Sequence, residues 1–199
     1  MKNHITNYLS ESIQIIKLLD TQNIVKIGQH LKNIRSRHGR IFVIGVGGSA
    51  ANASHAVNDL RKIACIEAYS PSDNISELTA RINDNGWENV FRDWLKGSHL
   101  DSDDGILVLS VGGGNIEKNI SVNLIRATEY AKSVGACVIG IVGRDGGYVA
   151  EHSNISVIIP TVNPETVTAH SEEFQSILLH LIITMPEIQQ YKMKWETEQ

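Results

Sequence analysis

Two pairs of polar residues at helical spacing carry the side-chain types that acid–base or metal chemistry needs. His55 and Asp59 stand four apart in the helical pattern that begins at Ser49, so they share one face. Near the C-terminus Glu172, Gln175, Ser176 and His180 lie on another helical pattern, at spacings of three, four and eight from the first. They form one polar stripe, and Ile177, Leu178, Leu181 and Ile182 are its apolar neighbours. Taken singly, a histidine in such a surface is more often a satisfied core residue. With Glu172 two turns before it on the same face, His180 becomes a candidate acid, base or metal ligand. An i,i+4 His–Asp pair is, for its part, most often solvated. What lifts His55 and Asp59 above that is the turn one helical turn upstream.

That turn is Gly45-Val46-Gly47-Gly48-Ser49, after the apolar, branched run Arg40-Ile41-Phe42-Val43-Ile44. A buried strand, a glycine turn and a helix start present free N–H groups and a positive dipole end to an anion. Neither the P-loop nor the dinucleotide fingerprint is matched in full. A second glycine turn, Gly112-Gly113-Gly114-Asn115, follows the strand-like Gly105–Ser110. Ser110 and the backbone N–H groups of Gly112, Gly113 and Asn115 are candidate phosphate contacts, as are Gly47, Gly48 and Ser49. Arg61 and Lys62 are most often a solvated face, though either could reach a phosphate.

The elements that position these groups alternate between strand and helix. Apolar residues recur at helical spacing from Ile5 to about Arg37, with Asp20-Thr21-Gln22-Asn23 as a break. One interrupted helix or two helices satisfy that pattern. Its apolar face is more than its own domain obviously covers, which points to a partner subunit. The reading then places strands at 40–44, 63–68, 105–110, 136–142 and 155–159, with a turn at 83–86. Helices fall at 49–62, 76–82, 87–95, 116–133 and 165–185, with a polar tail to Gln199. Trp87 and Phe91 read as core or subunit contacts. Such alternation predicts one α/β domain: an α-β-α sandwich around a five-stranded parallel sheet, flavodoxin-like, with a long N-terminal helical segment. Ligands bind such sheets beyond the carboxyl ends of the strands, where both glycine turns fall.

Bulk properties narrow the function classes. The 199 residues carry a formal charge of -4, which argues against a general binder of nucleic acid or anionic membrane. No apolar run approaches the roughly 20 residues of a membrane span, and the first residues lack a signal-peptide pattern. Two cysteines, Cys65 and Cys137, suit reduced thiols better than a disulfide framework. The expectation is a cytoplasmic protein.

Together these motifs resemble the sugar isomerase (SIS) domain family, and within it the phosphoheptose isomerases. The likeness runs through most of the chain: the N-terminal helix, Gly-x-Gly-Gly-Ser with its His, Asn83-Asp84-x-Gly, the second glycine loop, Gly-x-Asp-Gly-Gly, and the final helix with its His. The resemblance implies a homotetramer, or at least a dimer, that isomerises a phosphorylated heptose, with zinc or another divalent metal as cofactor. By position it makes His55 a zinc ligand and Ser49 a phosphate contact. Asp59 stands where the family has a catalytic, metal-contacting Glu, and Glu172 where it has a metal-contacting Gln. His180 matches a metal-binding or acid His, and Asn83 and Asp84 a substrate-contacting pair.

The departures from the family are chemical ones. Its second loop reads Ser-Thr-Ser-Gly-x-Ser, against Ser110-Val111-Gly112-Gly113-Gly114-Asn115 here, so most phosphate-gripping hydroxyls are gone. Val46 replaces an asparagine. Asp59 is one methylene shorter than Glu, a retraction of about 1.5 Å, and Glu172 brings an added negative charge. The implied reading is a divergent aldose–ketose isomerase in which Asp59 or Glu172 is the base and His180 the acid. His55, Asp59, Glu172 and His180 would surround the metal. The alternative on the same fold is a non-catalytic sugar-phosphate-binding or assembly protein.

Overall fold

The computed structural model describes residues 1–197; the last two residues of the expected polar tail, Glu198 and Gln199, lie outside the described residues. The N-terminal segment resolves into two helices, α1 (Lys2–Leu18) and α2 (Thr21–Ser36). Asp20 decides the break, because its side chain accepts from the Gln22 and Asn23 N–H groups and caps α2. The strands are β1 (Ile41–Ile44), β2 (Ala68–Tyr69), β3 (Gly105–Ser110), β4 (Cys137–Val142) and β5 (Ile155–Ile158). All pair in parallel, in the order β2-β1-β3-β4-β5. Between and after them run α3 (Gly48–Lys62), α4 (Ile75–Asn85), α5 (Val90–Gly97), α6 (Val122–Ser133), α7 (Gly147–His152) and α8 (Val167–Ile183).

Residue alternation on the strands builds a separate core on each face of the sheet. Ile41, Val43, Leu107, Leu109, Ile139 and Ile141 face α2, α3 and α8, while Phe42, Ile44, Ile106, Val108 and Val138 face α5 and α6. α1 joins the first core through Ile15, its one buried residue. No helix among the described residues is long and apolar enough to cross a membrane.

Four expectations need correction. The apolar run 63–68 is not a strand. Ile63 ends α3, Cys65 takes a left-handed φ of 52°, and pairing starts only at Ala68. Burial of Ile63, Ala64 and Ile66 in the first core explains the run without extension. Asn83, Asp84 and Asn85 belong to α4, which stops only at Gly86, where φ is 81°. Residues 116–121 are not helical: Asn115 and Ile120 exchange both backbone hydrogen bonds at 2.9 Å and close a small loop before α6. The Gly143–Gly147 turn runs directly into the short α7, which the sequence pattern did not reveal. The remaining helix ends shift by two or three residues, as at α5 and α8. The tail beyond α8 is tied down where it starts, since Ile188 is buried and the Gln190 and Tyr191 N–H groups donate to the Ile63 carbonyl.

Candidate active site

α3 and α8 lie side by side, and Asn52 fixes their register. Its side-chain amide donates to the Glu172 carbonyl (2.8 Å) and to the Gln175 side chain (3.1 Å). Gln175 is fully buried. About one turn further along each helix, the polar stripes meet. His55 Nε2 and His180 Nε2 are 3.0 Å apart, and each is 3.4 Å from Asp59 Oδ2. The imidazoles meet edge to face, with an interplanar angle of 77°. Asp59 is 6% exposed, and its other oxygen accepts from the Asn58 side-chain amide (2.8 Å). That bond orients the free oxygen toward both rings.

Three donor atoms in a triangle with edges of 3.0, 3.4 and 3.4 Å match one face of a small coordination tetrahedron. For metal–ligand bonds of about 2.0–2.1 Å, tetrahedral geometry puts ligand atoms about 3.3–3.4 Å apart. His55, Asp59 and His180 thus fit a divalent ion, and they are the group of possible ligands found among the described residues. The donor types, two imidazoles and a carboxylate, suit zinc and leave a fourth position open. Aspartate in place of the longer glutamate does not withdraw the carboxylate from this cluster. Both imidazoles remain half exposed, so the triangle opens to solvent.

Glu172 is elsewhere. It is partly buried, and its carboxylate rests on Gly48 in the first turn of α3, where a Cβ would collide with it. The separation follows from geometry, since eight helical residues rise about 12 Å. At the start of α3, Gly47 has φ 64° and offers no side-chain cap; its carbonyl accepts from the Ala50 and Ala51 N–H groups. Among the described residues the Gly48 and Ser49 N–H groups have no partner, and Ser49 is 1% exposed. The first glycine turn therefore retains an anion-facing edge, with a carboxylate beside it.

The second glycine turn is closed on itself. The Ser110 hydroxyl accepts from the Gly112 and Gly113 N–H groups, and the Asn115 N–H donates to the Ile120 carbonyl. The Gly113 and Gly114 carbonyls accept from Val149 and Tyr148 at the start of α7. Gly113, with φ 66°, lies so close to the Gly146 carbonyl that no side chain fits. Most phosphate contacts expected of Ser110, Gly112, Gly113 and Asn115 are thereby spent within the fold. Asn83 and Asp84 are exposed on α4, hydrogen-bonded to each other and not to the cluster. Asn52, which locks α3 to α8, went unrecognised in the sequence because an asparagine in a helix has no spacing signature of its own.

A β2-β1-β3-β4-β5 parallel sheet, wound on both faces and with glycine turns at its carboxyl edge, defines a doubly wound ligand-binding α/β domain. Residues 6–143 match the SIS domain, and the chain belongs to that family. It is 27% identical over 186 residues to a probable phosphoheptose isomerase of Thermoplasma volcanium, covering 91% of this chain and 89% of the relative. A phosphoheptose isomerase of Helicobacter pylori (strain Shi470) is 31% identical over 149 residues, 72% of each chain. Among solved structures, phosphoheptose isomerase GmhA from Neisseria gonorrhoeae is 26% identical with a TM-score of 0.77, covering 91% of this chain and 96% of that one.

Proposed function

We propose that the protein is an aldose–ketose isomerase of the phosphoheptose isomerase kind, acting on a phosphorylated sugar. The observation that carries this reading is the His55–Asp59–His180 triangle on a SIS domain whose relatives bear that activity. A non-catalytic binding role gives no reason for three donor atoms converging within 3.4 Å. His55, Asp59 and His180 would hold zinc or another divalent cation. Such an ion supplies positive charge beside the carbonyl and the neighbouring hydroxyl, where negative charge grows in the transition state.

Isomerisation moves a proton between adjacent carbons, so it needs a carboxylate free to accept and return one. Asp59, at the donor triangle, and Glu172, against the first turn of α3, are the two carboxylates that could take that role. The Gly48 and Ser49 N–H groups at the same edge are free to donate to substrate oxygens. A panel of C5 to C7 sugar phosphates, incubated with and without zinc, tests the reading. Conversion of one of them, lost with a chelator and restored by metal, is expected. Folded, metal-loaded protein that isomerises none of the panel would leave the binding-only alternative.

We further propose that copies of the chain assemble, most simply as a homotetramer. Ile5, Leu9, Ile13 and Ile16 follow one another at helical spacing on α1, each more than half exposed, and Ile177 and Leu181 flank His180 on α8. A monomer of about 22 kDa by light scattering at micromolar concentration would contradict assembly. Two unpaired cysteines favour a reducing compartment such as the cytoplasm.

A further inference from the structure

Three places at the carboxyl edge of the sheet offer positive potential to a phosphate group. The start of α3 has two free N–H groups, yet the Glu172 carboxylate lies against Gly48 and opposes an anion there. The second glycine loop has spent the Ser110 hydroxyl and most of its N–H groups internally. The third place is a cavity of about 80 Å³ between that loop and the β4–α7 turn, lined by Gly112, Gly114, Asn115, Lys118, Arg144 and Gly147, among others. A single water needs about 10–15 Å³, so this space suits a group of a few heavy atoms and not a whole sugar.

Its charge comes from Lys118 and Arg144. Among the described residues neither side chain makes an ion pair or hydrogen bond; the one Lys118 bond, to Asn115, is through its backbone N–H. Asp145 also lines the cavity, with its carboxylate turned to the Gly147 N–H (3.3 Å). Arg144 has φ 54°, a left-handed conformation that costs a non-glycine residue energy, and its stem passes over Gly112. The 115–120 loop, closed by the Asn115–Ile120 bridge, brings Lys118 to the same cavity. Two cations without an ion-pair partner among the described residues, a left-handed backbone and a small glycine-floored space converge on one spot, with Asp145 the one carboxylate in its lining.

We infer that Lys118 and Arg144 form a site for a dianionic phosphate group beside the second glycine loop. Its ligand is either the phosphate of the substrate itself or a second phosphate compound that binds alongside. Only the first source rests on the isomerase reading; the site does not. Arginine grips such a group through its planar fork and lysine as a point charge.

The test uses inorganic phosphate and the full chain. Thermal stability is followed against phosphate concentration, with chloride at matched ionic strength as the control, for the wild type, Arg144→Gln, Lys118→Gln and Ser49→Ala. Phosphate should raise the melting temperature of the wild type and of Ser49→Ala. Each neutral variant at 118 or 144 should weaken phosphate binding about 10-fold or more, the size of a lost charged hydrogen bond. Both positions are exposed, so the variants should fold as the wild type does. If millimolar phosphate gives no stabilisation, or if Arg144→Gln and Lys118→Gln retain the full effect, the site does not exist. Loss of the effect in Ser49→Ala alone would place the anion at α3 instead. With an active sugar phosphate in hand, a raised KM at unchanged kcat in Arg144→Gln marks the substrate phosphate. Unchanged KM with phosphate stabilisation lost marks a second ligand. Failure to isomerise any sugar would overturn the proposed activity and leave the phosphate titration as it stands.

Discussion

Removing one corner of the donor triangle should uncouple zinc from stability without harming the fold. In the wild type, an ion that binds only folded protein adds about 2.7 kcal/mol when present at 100 times its dissociation constant. For a chain of this length each kcal/mol shifts the melting temperature by about 2–4 °C, so zinc should raise it by about 5–11 °C. His180→Ala takes away one of the three atoms that define the 3.0 and 3.4 Å edges. Loss even of a residue that merely supports a metal ligand costs about 10–100-fold in affinity, and loss of a ligand should cost at least the upper figure. At the same zinc concentration the stabilisation then falls to about 0.4 kcal/mol, a shift under about 2 °C.

The metal-free comparison makes the experiment decisive. The His180 side chain is about half exposed, so its truncation opens no buried cavity and should leave the metal-free melting temperature nearly unchanged. Differential scanning fluorimetry of chelator-treated protein, with zinc titrated back, reads both quantities in one experiment. Asp59 and His55 remain in the variant, which separates loss of a ligand from loss of the whole site. A wild type that zinc does not stabilise, or a variant that zinc stabilises equally, would refute the assignment of these three residues as ligands.

Three further outcomes are expected. Asp59→Asn keeps the shape and can keep the Asn58 hydrogen bond, so the melting temperature should stay within a few degrees while turnover on the best sugar phosphate falls at least about 100-fold; unchanged turnover would remove Asp59 from the site. Asp104 is 2% exposed and meets Arg40 Nη2 at 2.6 Å and Nε at 3.1 Å, so Asp104→Ala strands a partly buried guanidinium and should cost about 3 kcal/mol in chemical denaturation. On α1, hydrogen bonds from Asn163, His170 and Thr166 hold the Glu11 carboxyl below its ordinary value of 4.5. Because the folded value is the lower one, that stability is present above the ordinary value and disappears as pH falls through the folded one. Melting curves between about pH 6 and pH 3 should show the loss, and Glu11→Gln should flatten that segment of the profile.

The parts of this fold that were legible are those in which one residue pattern has one physical meaning. Ile41–Ile44, Gly105–Ser110 and Cys137–Val142 are short, branched and bounded by glycine or polar residues, and a strand buried on both faces is what such runs form. The run at 63–68 has the same composition and a different cause. Its apolar side chains fill the space beneath the end of α3, and the left-handed Cys65 prevents extension, which composition does not reveal. The region 116–121 failed for a related reason: Ile116 and Ile120 imitate an i,i+4 helical pair, whereas both are exposed rims of a closed loop. α7 has only six residues, too few for a period to emerge.

The candidate site was legible to the same degree, and for reasons that bear on its chemistry. An i,i+4 pair fixes its own geometry, so His55 and Asp59 meet whatever the rest of the chain does. His180 joins them because Asn52 locks the two helices in register, a tertiary fact that helical spacing cannot contain. Glu172 shares a stripe with His180, yet a rise of about 12 Å along α8 carries it to the opposite end of the α3 contact. That placement changes what the exchange of glutamine for glutamate accomplishes. At the metal cluster an added carboxylate would strengthen cation binding; against Gly48 it opposes the dipole end that draws anions to α3. A carboxylate at that place therefore favours a phosphate held away from α3, toward Lys118 and Arg144.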